Sequence, residues 1–108
     1  LNVDHRLTFQ AVMTACRPLP GSSIKEIYSF EVLSSTEWAL EDKFHPNTFV
    51  DISQTLDKKV KSLECYHIEM RDFPHARSLE NVKALATYRG ASVGKKVCEA
   101  FEIVRLIR

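Results

Sequence analysis

The chain has 108 residues, 44% hydrophobic and 27% charged, with 15 Lys and Arg against 14 Asp and Glu and a formal charge of +1. That length fits a single domain spanning residues 1–108 with a modest core, and the cancelling charges give no electrostatic ground for a nucleic acid or an anionic membrane as partner. No apolar run approaches the roughly 20 residues of a membrane-spanning helix, so the sequence predicts a soluble, cytoplasmic protein.

The first element is a helix from Asp4 to Cys16, with Leu7, Ala11, Val12 and Ala15 at helical spacing and Arg17-Pro18 and Pro20-Gly21 closing it. Residues 24–33, IKEIYSFEVL, alternate apolar and polar positions as a strand does, and Ser34-Ser35-Thr36 ends them. After the Pro46-Asn47 turn, Thr48, Phe49, Val50 and Ile52 favour a short extended segment. Ser53 or Thr55 then caps a helix predicted from Leu56 to Met70, with Leu56, Val60, Leu63 and Tyr66 on one face.

Beyond the DFPH loop at residues 72–75, Ser78 reads as the N-cap of a further helix that buries Val82, Leu85 and Ala86. Its end is expected at Arg89-Gly90, where glycine can take the left-handed conformation. The closing run CEAFEIVRLIR alternates as a strand with one wet face, a terminal helix being the other reading. The order helix, strand, strand, helix, helix, strand is an α/β pattern. It begins at a loop-to-helix junction, whereas a doubly wound domain begins with a buried strand, so the first half of such a fold is expected to be missing. The three cysteines, Cys16, Cys65 and Cys98, lack CxxC spacing and read as buried reduced thiols. The doublets Lys58-Lys59 and Lys95-Lys96 read as solvated faces.

NVDHR before a helix ending in ACRP, then YSFEVLSSTEW, PNTFVDIS, RDFPHARS, YRG and CEAFEIVR, follow one another along essentially the whole chain. This series resembles the C-terminal part of the PIG-L/LmbE family of zinc-dependent deacetylases, which act on N-acetylglucosamine-type amino sugars. The resemblance implies a partial Rossmann-like fold. It also implies His5 as a zinc ligand and Asp4 as the supporting acid beside it. Asn2 stands where many members carry a histidine, and the amide can still hydrogen-bond substrate.

The HPDDE motif, which in the family supplies two further zinc ligands and the general base, has no counterpart here; His45-Pro46-Asn47 lies in the wrong order. A catalytic zinc ordinarily has three protein ligands and an open position, and the metal lowers the pKa of its water from about 15.7 to about 7. One imidazole does not suffice for this, so the chain is expected to bind no zinc stably and to be inactive alone. A complementary chain supplying HPDDE, or a homo-oligomer, is the expected partner, and the alternative function is a non-catalytic self-associating module.

The remaining candidates have two readings each. Asp4 or Asn2 can instead cap the helix. Arg77 contacts an amino-sugar substrate or sits at the surface beside Ser78. His75 joins the substrate rim or packs on Pro74. Glu99 is a site acid or an edge-strand charge that discourages aggregation. Trp38 lines a sugar wall or belongs to a core or interface.

Overall fold

A computed structural model describes residues 2–41 and 43–108. Its elements are α1 (Val3–Ala15), β1 (Glu26–Phe30), a 3-10 turn (Thr36–Trp38), β2 (Thr48–Asp51), α2 (Leu56–Glu64), α3 (Leu79–Ala91) and β3 (Cys98–Leu106). The helix and strand order is the one the hydropathy patterns predict. The chain is mixed α/β, with one three-stranded sheet in the order β1-β3-β2. Both pairings are antiparallel, with Phe30 and Thr48 flanking Phe101 from opposite sides. A bulge between Ile27 and Tyr28 shifts the β1 register, which increases local twist.

The core lies between the sheet and α2 and α3, where Ile52, Val60, Val82, Ala86, Cys98 and Ala100 are buried. Cys98 and Ala100 alternate on the β3 face that meets α3, and their small side chains let the helix lie close. Ser78 is fully buried and caps α3, its Oγ accepting from Asn81 N at 3.2 Å. The Pro46-Asn47 turn is tied to β3: Asn47 N donates to Phe101 O, and Asn47 Oδ1 accepts from Ile103 N, each at 2.9 Å.

Several local expectations are corrected. α3 runs past Gly90 to Ala91, and Gly90 is not the left-handed terminator. A Cβ there would lie 2.7 Å from both Val97 N and Val97 Cα, so glycine is required by the close approach of the next segment. The positive φ falls at Gly94 instead, at 72°. α2 ends at Glu64 rather than Met70, and Thr55 caps it without a side-chain hydrogen bond. Only Cys98 is buried among the cysteines; Cys65 is exposed and Cys16 half-buried. Lys59 and Lys95 are not simply solvated, since each faces a carboxylate, of Glu99 and Asp51 respectively. Glu99 stands on the central strand, which removes its reading as an edge charge.

Candidate functional site

An open cleft of about 700 Å³ lies between α2, α3 and the end of β1. Its apolar lining includes Phe30, Leu63, Met70, Val82, Leu85 and Ala86, and its polar lining includes His5, Glu31, Lys59, Glu69, Arg77, Arg89 and Glu99. Each polar wall is set by an ion pair between elements remote in sequence. Arg89, near the end of α3, donates Nε to Glu31 Oε1 at 2.8 Å and Nη2 to Glu31 Oε2 at 2.7 Å. Both side chains are under one-fifth exposed. The Glu31 hydrogen bonds raise the Arg89 pKa against the opposing effect of burial, and the guanidinium also lies 5.7 Å from the centroid of the Phe44 ring.

Lys59 of α2 pairs with Glu99 of β3, and both side chains are about one-third exposed. The third pair joins Arg77 Nη1 to Glu69, whose carboxylate is largely in water. Such exposed pairs contribute little to stability, of order 0–1 kcal/mol. Their consequence is positional: Arg77 is held on two sides, because its Nε also donates to Ser34 Oγ at 2.8 Å. Ser34 adopts a positive φ of 63°, a conformation that costs a non-glycine residue about 1 kcal/mol or more.

Three of the residues singled out from the sequence, His5, Arg77 and Glu99, thus line one cleft. Asn2 caps α1: its Oδ1 accepts from Asp4 N at 2.9 Å and from His5 N at 3.4 Å. Asp4 is exposed in the first turn and is not the cap. The His5 imidazole Nδ1 lies 3.3 Å from Ser35 Oγ, a hydrogen bond whose direction follows the imidazole tautomer. His75 is exposed and uses Nδ1 to accept from Arg77 N at 3.0 Å, so it shapes the loop that carries Arg77. The Phe73-Pro74 peptide in that loop is cis. Trp38 is 61% exposed and outside the cleft lining.

Among the described residues no group of three His, Cys, Asp or Glu side chains is placed to hold a metal ion.

Sequence reasoning missed Lys59, Glu69, Ser34, Ser35 and the Glu31–Arg89 pair. Ser34, Ser35 and Glu31 sit inside the quoted YSFEVLSSTEW stretch, which was the available signal for that wall of the cleft. Lys59 and Glu69 carry none, since a basic doublet and an acid near the end of a predicted helix look like ordinary surface. Among known proteins, no family model, curated protein or solved structure matches this chain.

Proposed function

We propose that the chain is the C-terminal portion of a PIG-L/LmbE-type zinc-dependent deacetylase, related to hydrolysis of N-acetyl groups on amino sugars, and that it is inactive by itself. In this reading the antiparallel sheet is one side of a larger Rossmann-like sheet. The observation that supports it is the convergence of His5, Arg77 and Glu99 on one cleft although they are spread along the whole chain. Arg77, anchored by Ser34 and Glu69, is suited to donate to sugar hydroxyls at the rim. Glu99, paired with Lys59, is suited to accept from them. The remaining ligands and the general base would come from a complementary chain.

Calorimetric titration of the metal-free protein with zinc tests this reading, with deacetylation of N-acetylglucosamine derivatives assayed on the same samples. Expected are weak binding that falls further in His5→Ala and no turnover. Zinc binding unchanged by His5→Ala would remove the ligand assignment. Tight one-to-one binding with turnover, both lost in His5→Ala, would overturn the inactive state and retain the family.

A further inference from the structure

One short turn bonds both His5 and Arg77. After β1 the chain turns at residues 32–37, and two consecutive hydroxyls there meet partners far apart in sequence. Ser34 Oγ accepts from Arg77 Nε at 2.8 Å, 43 residues on, and Ser35 Oγ lies 3.3 Å from His5 Nδ1, 30 residues back. His5 and Arg77 both line the cleft, so the spacing between them depends on the backbone of one pair of serines.

That backbone is not one that serine adopts unaided. Ser34 has a φ of 63°, in the left-handed region that few non-glycine residues enter, and such conformations persist where surrounding bonds over-determine them. Here the bonds come from Thr36 and Glu37. Thr36 Oγ1 accepts from Val32 N at 2.7 Å and Thr36 N donates to Val32 O at 2.9 Å, closing the base of the turn. Across its tip the Glu37 carboxylate accepts from Ser34 N at 2.6 Å with one oxygen and from Ser35 N at 3.2 Å with the other. A carboxylate that takes two successive N–H groups fixes their relative orientation, as an anion in a backbone nest does. Ser35 N has a second acceptor, Val32 O at 3.1 Å, so the bond to Ser34 N is the one that depends on Glu37. Glu37 itself is exposed and outside the cleft lining, and its bonds go to the two serine amides.

We propose that Glu37 is a positioning residue of the cleft: by clamping Ser34 and Ser35 it places the Arg77 guanidinium and the His5 imidazole together. The roles of these two groups, sugar donor and metal ligand, rest on the function proposed above. The clamp requires neither zinc nor sugar.

Heteronuclear NMR of the whole chain tests the clamp with neither present, so its outcome stands apart from the zinc titration. The reporters are hydrogen exchange at Arg77 Nε–H and the nitrogen chemical shift of His5 Nδ1 at one fixed pH. Ser34→Ala and Ser35→Ala, which remove the respective hydroxyls, give the reference value for each lost bond. Glu37→Ala is expected to move both reporters at once toward those references, with Arg77 Nε–H exchange faster by about fivefold, the weight of one hydrogen bond. Arg89 Nε–H, bonded to Glu31 on another wall of the cleft, is expected to keep its rate. Glu37→Gln retains one acceptor oxygen and is expected to fall between wild type and Glu37→Ala; should Glu37→Ala fail to fold, Glu37→Gln is judged by the same criterion. Wild-type values at both reporters, or a response at only one, overturn the proposal. Equal acceleration at Arg89 overturns it too, since Glu37 would then support the fold at large instead of this turn. Zinc binding unchanged by His5→Ala, with both reporters moving, would remove the metal role of His5 and leave the clamp standing.

Discussion

Glu31 and Arg89 face one another through two parallel hydrogen bonds, 2.8 and 2.7 Å long, that join the segment after β1 to the last turns of α3. The fork-on-fork geometry fixes both side chains, and their low exposure keeps water from replacing either bond. The pair forms one wall of the cleft, so its stability effect and its effect on the cleft's shape should appear together.

Truncating one partner leaves the other partly buried and unpaired, which costs more than the pair itself contributes. Glu31→Ala is expected to lower unfolding free energy by about 1.5–3 kcal/mol in urea titrations. The double variant Glu31→Ala/Arg89→Met should recover part of that loss. A double-variant loss equal to the sum of the Glu31→Ala and Arg89→Met losses would show that the two residues act independently.

Gly90→Ala sets two effects against each other. Alanine favours a helix interior by about 1 kcal/mol over glycine. Here, however, the added methyl would approach Val97 N and Val97 Cα to 2.7 Å and Lys96 C to 2.8 Å, and backbone cannot move aside as a side chain can. Overpacking of this kind costs about 1–3 kcal/mol. A net decrease in the urea midpoint is expected, and an increase would place the helix end differently.

Asp51 gives a pH dependence of known sign. Its carboxylate accepts from Ser53 Oγ at 2.6 Å and from Ser53 N at 2.9 Å, and these bonds hold its pKa below the usual aspartate value. A folded pKa below the unfolded one stabilises the fold above the unfolded value, and that stability is lost as pH falls through the folded value. The stability gap between wild type and Asp51→Ala should therefore be wider at neutral pH than below about pH 3.9, the ordinary aspartate value. Urea midpoints at the two pH values measure it; a gap that widens in acid would contradict the bonding.

Elements defined by nearest-neighbour chemistry were legible in the sequence: Ser78 as a cap, the alternation in residues 24–33, the apolar face of Val82 and Ala86. Contacts set by tertiary approach were not. Gly90 read as a helix terminator because sequence shows a glycine's freedom and hides what packs against it. Lys59 and Glu99 are 40 positions apart, and no local pattern distinguishes a paired lysine from a solvated one. His5, Arg77 and Glu99 were found through the resemblance, whereas their meeting at one cleft required the fold. The antiparallel sense of the sheet was equally hidden, since alternation specifies a half-buried strand and not its neighbour's direction.

Asn2 offers the last prediction, and it turns on where stability resides. Its side chain supplies the cap of α1, and replacing an Asn cap by Ala costs a helix about 0.5–2 kcal/mol. Because α1 has no buried residue, that loss is local and barely couples to global unfolding. Amide hydrogen exchange should accelerate through the first turns of α1 in Asn2→Ala, while the urea midpoint moves little. Asn2→Asp keeps the acceptor and places a negative charge at the helix N-terminus, favourable by about 0.3–1 kcal/mol, so its exchange should be slowed. Were Asn2→Ala to lower the global midpoint as much as it accelerates α1 exchange, the helix would be integral to the folded unit.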